Sequence, residues 1–202
     1  MMLSVGPDGD PAPPGKGLRY ARPERERRFL LGRPPSGPCI RRAEISDLYV
    51  AGTRLRVRRA EETTTTGRQV VYKLTQKIPA ANGAPGRITT IYLSEEEHAR
   101  VRKLPGEELR KLRYSVPPFG VDVFGGELAG LLLAEAEFET PEEESAFPPP
   151  DVAVAEVTGD VRFTGGRLIG TRRPALLTLL EEFGLRPVDA SELAGRRLSP
   201  PG

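Results

Sequence analysis

Charged side chains recur at every second position in several short segments of this chain. They are Glu24, Glu26 and Arg28; Arg54, Arg56 and Arg58; Lys73, Thr75 and Lys77; Lys111 and Arg113; and Glu135, Glu137 and Glu139. Successive side chains of a β-strand point to opposite faces, so each set shares one face. The positions between them, such as Leu55, Val57, Leu74, Ala134, Ala136 and Phe138, supply an apolar face. One such row is the ordinary wet side of a half-buried antiparallel strand. Several rows of both signs in one chain also suit a closed interior where basic and acidic rows meet. Such an interior holds a polyanion between cations, with carboxylates gripping a hard divalent ion that bridges to it.

The rest of the composition narrows the chemistry. The chain has 202 residues, enough for one ordinary core. Its 30 basic and 28 acidic residues nearly cancel, so no overall field favours a nucleic acid or an anionic membrane. The single cysteine, Cys39, and the single histidine, His98, exclude a disulfide framework and a cysteine-rich zinc site. No apolar run approaches the roughly 20 residues that span a bilayer, and the reading is a cytoplasmic protein without a membrane partner.

The elements that must carry these rows read as short strands. Residues 1–18 are rich in Pro, Gly and Asp and are expected to be a disordered tail. A single domain follows over residues 19–185, and residues 186–202 read as a disordered C-terminal tail. Strands are expected at Glu24 to Leu31, Ile45 to Val50, Thr53 to Arg59, Gln69 to Ile78, Arg87 to Leu93, Leu112 to Val116, Gly120 to Phe124, Leu128 to Glu139 and Val152 to Val157. Gly-, Thr- and Pro-rich hairpin connections join several of them, including Pro79 to Gly86. Ser94 with Glu97 forms a capping-box pattern and predicts a helix from Glu95 to Lys103. A helical turn is expected at Glu107 to Lys111, and an amphipathic helix at Pro174 to Phe183. His98 reads as a solvated helix residue, Cys39 as an inert loop thiol, and Glu139 as a strand-end carboxylate outside any site.

The segments taken in order resemble the CYTH superfamily of triphosphate tunnel metalloenzymes, most of all the short bacterial inorganic triphosphatase-type members. The first strand of that family carries E-x-E-x-K, which stands here as Glu24-Arg25-Glu26-Arg27-Arg28. Val121-Asp122-Val123-Phe124 and Ala134-Glu135-Ala136-Glu137-Phe138-Glu139 look like its aspartate strand and second E-x-E strand. Glu156-Val157-Thr158-Gly159-Asp160 looks like the ending of its bacterial members.

The resemblance implies a mainly β (α+β) fold, an eight-stranded antiparallel β-barrel tunnel with a few flanking helices. It implies a phosphohydrolase that cleaves a phosphoanhydride of inorganic tripolyphosphate or another triphosphate, using Mg²⁺ or Mn²⁺. The rival readings are a non-catalytic module binding polyphosphate or a nucleotide, and an adenylate cyclase on the same scaffold. The partner is a triphosphate-bearing small molecule or inorganic polyphosphate, and a homodimer stays open.

Carried over position by position, the family pattern puts Glu24, Glu26 and Arg28 in the catalytic role. Glu24, Glu26, Asp122, Glu135 and Glu137 become the metal ligands. Arg54, Arg56, Lys73, Lys77, Lys111 and Arg113 bind substrate; spacing does not choose between the two lysines of the same parity, Lys73 and Lys77, and Lys73 is preferred. Two departures stand out. Arginine replaces the family lysine at position 28, and the Arg87 to Leu93 strand lacks the carboxylates that many relatives carry there.

Overall fold

Alternating charged and apolar residues produce strands through most of the chain. The structure, a computed structural model, describes residues 20–79 and 86–200. In chain order the elements are β1 (Arg22–Pro23), β2 (Glu26–Leu31), β3 (Arg41–Val50), β4 (Leu55–Thr64), β5 (Gly67–Ile78) and β6 (Arg87–Leu93), then helix α1 (Glu95–Val101). They continue with β7 (Gly106–Val116), β8 (Phe119–Phe124), β9 (Leu132–Glu137), α2 (Pro141–Ala146), β10 (Ala153–Glu156), α3 (Gly165–Leu168), α4 (Arg173–Glu181) and α5 (Ser191–Ala194). The fold is mainly β, as expected. The N-terminal tail and most of the Pro79 to Gly86 connection lie outside the described residues. No helix among the described residues is long and apolar enough to cross a membrane.

Among the described residues all strand pairs are antiparallel, in one ten-stranded sheet ordered β1-β6-β5-β4-β3-β7-β8-β9-β2-β10. The expected closed barrel of eight strands is therefore corrected: the ladder does not close on itself. One end, β1, is nevertheless followed directly in sequence by β2, the strand next to the other end: β1 pairs with β6, and β2 lies between β9 and β10. The link between them is short. Arg22 and Pro23 face Ile88 and Arg87, and the Glu24 amide donates to the Gly86 carbonyl at 2.8 Å. Pro23 has no N–H to extend that ladder, which limits the seam to a few bonds.

The sheet has two differently filled faces. On the inner face, the position two residues from each buried charge is apolar: Leu30 beside Arg28, Leu109 beside Lys111, Phe124 beside Asp122 and Leu133 beside Glu135. These four pack with Phe163, Leu168, Leu176, Leu179 and Leu180 of the C-terminal helical region in one core cluster. The α4 stripe thus fills one end of the sheet's interior, each fully buried leucine contributing about 1.5–3 kcal/mol. On the outer face, Phe29, Leu31, Tyr114, Val116, Val121, Leu132 and Ala134 pack with Val152 and Leu193. Elsewhere, Leu48, Val50 and Val57 pack with Leu74 and with Val101 of α1.

Three local expectations are corrected. Glu107 to Lys111 is part of β7 and not a helical turn, because its residues pair with Tyr49 to Ile45 of β3 and that ladder overrides local propensity. The Leu128 to Glu139 strand shortens to β9. It is preceded by a 3₁₀ turn at Gly126–Leu128, with Gly126 at φ +59° and Gly130 at φ +89°.

The expected C-terminal tail is instead packed through residue 200. The Val188 amide donates to the Gly130 carbonyl at 2.9 Å, and Ser199 to Cys39 at 2.8 Å. Leu193 is fully buried, and a β-carbon at Gly130 would lie 2.4 Å from Pro187. A few apolar side chains, Val188, Ala190, Leu193 and Leu198, cover the outer face and make that docking favourable despite the polar composition. Cys39 is accordingly buried beneath this segment, bridged to Leu198.

The capping box at Ser94 forms as expected, with Glu97 N–H donating to Ser94 Oγ and Ser94 N–H to Glu97 Oε2. His98, expected to be solvated, is buried, its ring 4.6 Å from that of Tyr72. Burial, reinforced by Arg102 and Arg59, lowers its pKa. The neutral ring therefore favours the fold. Its contribution is fully present above the ordinary histidine value of about 6.5 and is lost as pH falls through that value toward the lower folded one. Thermal melts between pH 5 and 7.5 should show this slope in the wild type and a flatter profile in His98→Gln; an unchanged slope would refute the assignment.

Candidate active site

The N-terminal charge row comes to lie beside the carboxylates of β9. Register sets Arg28 opposite Glu135 and Glu26 opposite Glu137. Arg28, only 6% exposed, donates through Nη2 to Glu26 and through Nε to Glu135 Oε1 at 3.3 Å. Glu135 also accepts from Arg113. Arg113 grips both oxygens of Asp122 on the adjoining strand, at 2.6 Å each, and Lys111 donates to the same carboxylate. A continuous chain of alternating sign thus crosses four neighbouring strands, from Glu26 through Arg28, Glu135, Arg113 and Asp122 to Lys111.

A second group faces it from β3 and β4. Asp47, 1% exposed, accepts from Arg58 Nε and Nη2 at 2.6 and 2.7 Å, with Arg56 Nε 3.8 Å from the same carboxylate. On β5, Lys77 donates to Glu24, and Thr75 is fully buried with its hydroxyl 3.1 Å from that of Thr90. Lys73 takes another course, its ammonium lying over the Tyr92 ring at 5.2 Å.

The electrostatics follow from this packing. Burial would raise the Glu135 pKa, but Arg113, Lys111, Arg28 and Lys77 outweigh it and hold the carboxyl well below the usual range. Glu26 goes the other way: burial raises it, Glu135 and Glu24 push further, and Lys77 and Arg28 only partly compensate. Burial lowers the Lys111 pKa, with Asp122 opposing the shift. Two buried guanidinium nitrogens, Nη1 of Arg28 and Nε of Arg56, have no hydrogen-bond acceptor. A buried donor left unpaired costs about 1–3 kcal/mol, so an acceptor supplied from outside the chain would be favoured there.

The expected site residues are therefore brought together unevenly. Glu24, Glu26, Arg28, Lys77, Lys111, Arg113, Asp122 and Glu135 interlock, and Arg56 faces Asp47. Arg54 precedes β4 and is half-buried. Glu137 sits opposite Glu26 but is exposed at the end of β9, where it lines a separate cleft of about 440 Å³ with Pro118, Phe138 and Phe147. Asp47 was not singled out, and Arg58 was placed in a charged row but given no site role. Arg58 shares the parity of Arg54 and Arg56, and Asp47 is the one ionisable residue between Ile45 and Val50 of an otherwise largely apolar strand.

The oxygen donors suit a hard divalent cation in kind but not in arrangement. Glu24 is held by Lys77, Glu26 by Arg28, Glu135 by Arg28 and Arg113, and Asp122 by Lys111 and Arg113. Among the described residues, no three acidic, histidine or cysteine side chains converge closely enough to hold an ion. The five expected ligands do not fit a metal as they are set.

No family model matches the chain. A stretch of 65 residues is 42% identical to the inorganic triphosphatase of Acetivibrio thermocellus, covering 30% of this chain and 40% of that protein. The match spans less than half the length of that relative. Two crystal structures also align with the chain. One, of the inorganic triphosphatase NE1496, is 25% identical over 72% of this chain and 93% of its own, with a TM-score of 0.46. The other, of the hypothetical protein NE1496, is 26% identical over 74% and 99%, with a TM-score of 0.48. Arg28 sits at the centre of the ion-pair chain just described.

Proposed function

We propose that this chain is a CYTH-type triphosphatase that cleaves a phosphoanhydride bond of a triphosphate compound, with inorganic tripolyphosphate the first candidate. The observation that carries the reading is the pair of buried guanidinium nitrogens, Arg28 Nη1 and Arg56 Nε, that have no acceptor among the described residues, set among Arg58, Lys77, Lys111 and Arg113. Phosphate oxygens are the acceptors such forks match, and fixed cations at this place neutralise the charge that develops as the leaving phosphate departs. The name of the Acetivibrio thermocellus relative supports the same chemistry.

In this reading Arg56, Arg28 and Lys77 hold the phosphates, while Lys111 and Arg113 fix the carboxylates behind them. Glu26 is the proton acceptor for the attacking water, since its elevated pKa brings it nearer the operating pH, where a general base works best. The Mg²⁺ or Mn²⁺ dependence implied by the family enters as an arm of the test, and no step above is routed through it. The action is placed in the cytoplasm, on a small molecule or inorganic polyphosphate.

One observation favours a second reading, a module that binds the triphosphate without cleaving it: every carboxylate of the ion-pair chain is already engaged by a basic side chain. Phosphate release from purified protein given tripolyphosphate, ATP or thiamine triphosphate, each with Mg²⁺, Mn²⁺ or chelator, separates the two. Turnover of tripolyphosphate above that of the other two is expected. Tight binding with no phosphate released would replace the enzyme by the module.

A further inference from the structure

We infer that Arg28 serves as the built-in cation of the Glu26 and Glu135 pair, so that this chain captures a triphosphate without needing a divalent metal for binding. The inference rests on the triphosphate reading above and concerns what holds the ligand. Two carboxylates from neighbouring strands converge on a single guanidinium, one on Nη2 and one on Nε. The third nitrogen, Nη1, is buried and has no acceptor. Two protein anions and one vacant position around a fixed positive centre are the arrangement in which a bridging cation presents itself to an anionic ligand.

Residue type fits this place. A guanidinium keeps its proton at any physiological pH and spreads its donors in a planar fork, so one side chain can engage both carboxylates and still offer a free N–H. The ammonium of a lysine is a compact point charge that lacks this fixed fork. Position is equally restricted. Arg28 is directly opposite Glu135 in the ladder, is almost wholly buried, and has its own backbone N–H anchored on Thr158 Oγ1 at 3.0 Å. Each neighbour is accounted for as well: Glu135 takes a second cation, Arg113, and Glu24 takes Lys77, leaving Glu26 to Arg28.

Isothermal titration calorimetry of the full chain with a non-hydrolysable imido analogue of tripolyphosphate, in EDTA and in Mg²⁺, tests this directly. The wild type should bind in EDTA with a Kd within about 3-fold of that in Mg²⁺. Mn²⁺ titration followed by electron paramagnetic resonance should show no tight site. Arg28→Met should weaken binding in EDTA at least 10-fold and create a Mn²⁺ site at the freed carboxylates.

Binding by the wild type only when Mg²⁺ is present would overturn the inference and leave the triphosphate reading standing. Absence of binding under both conditions would overturn both. The wild-type comparison needs no variant, so it decides the matter even where Arg28→Met fails to fold. A folded Arg28→Met that binds the analogue in EDTA as well as the wild type also overturns the inference.

Discussion

Arg113→Ala should lower the unfolding free energy by about 3–5 kcal/mol, the range for removing one partner of a buried ion pair. The reason is what remains behind. Asp122 is fully buried and accepts two 2.6 Å bonds from Arg113, and Glu135 accepts another. Without the guanidinium, Lys111 alone remains beside the buried Asp122 and Arg28 alone beside Glu135. For a chain of this length the loss corresponds to a melting temperature lower by roughly 10 °C.

The pH dependence gives the same prediction a second readout. Because the folded Glu135 is held well below the usual range, its stabilisation is present above the ordinary glutamate value and is lost as pH falls through the lower folded one. Arg113→Ala should remove most of that acid-side slope. Urea midpoints at pH 7 and pH 4 check both points, with Arg110→Ala as a control because Arg110 is 74% exposed and pairs only with Glu108. Equal midpoints for the Arg113 variant and the wild type would mean that the ion-pair chain does not hold the sheet together.

Glu26→Gln should reduce triphosphate turnover by about 100-fold or more, the span removed when a general base is lost, with stability little changed. Two observations separate Glu26 from its neighbours. Its pKa is raised, burial being the largest cause and Glu135 and Glu24 adding to it, whereas that of Glu135 is lowered. It is also bound to a single guanidinium, whereas Glu135 and Asp122 are each held by two cations. Glutamine keeps the shape and can accept from Arg28 but cannot take a proton from water. Steady-state phosphate release, read beside the circular dichroism melt, tests the prediction. Wild-type turnover in a folded Glu26→Gln protein would remove Glu26 from the role of base.

Much of this arrangement was legible in alternation alone. The parity of Arg28, Lys111, Arg113, Asp122 and Glu135 is a local property of each strand, and the ladder brings those residues to one face as that parity demands. What alternation cannot state is partnership. Glu24, Glu26, Asp122 and Glu135 read naturally as metal ligands, yet each ends beside an arginine or lysine; for Glu24, Asp122 and Glu135 that partner comes from another strand, a result of register and side-chain reach that sequence spacing does not encode.

The misses have the same character. Asp47 looked like one polar residue among apolar ones until β4 brought Arg58 alongside it. Glu107 to Lys111 has residues that favour a helix, but β3 offered a ladder. The C-terminal residues looked too polar to fold, and only a handful of apolar side chains finding the outer face made them part of the core. His98 shared a helix with charged neighbours, and its burial depended on Tyr72 from a distant strand.

The leucines of α4 carry a consequence of their own. With Leu176 and Leu180 packed against Leu30, Phe124 and Leu133, the strand face that carries Arg28, Asp122 and Glu135 is covered by apolar side chains immediately to one side of those charges. On the triphosphate reading, a ligand would approach from the side away from α4 and lead with its terminus. Cyclic trimetaphosphate, which has no terminus to offer, should then be a poor guest.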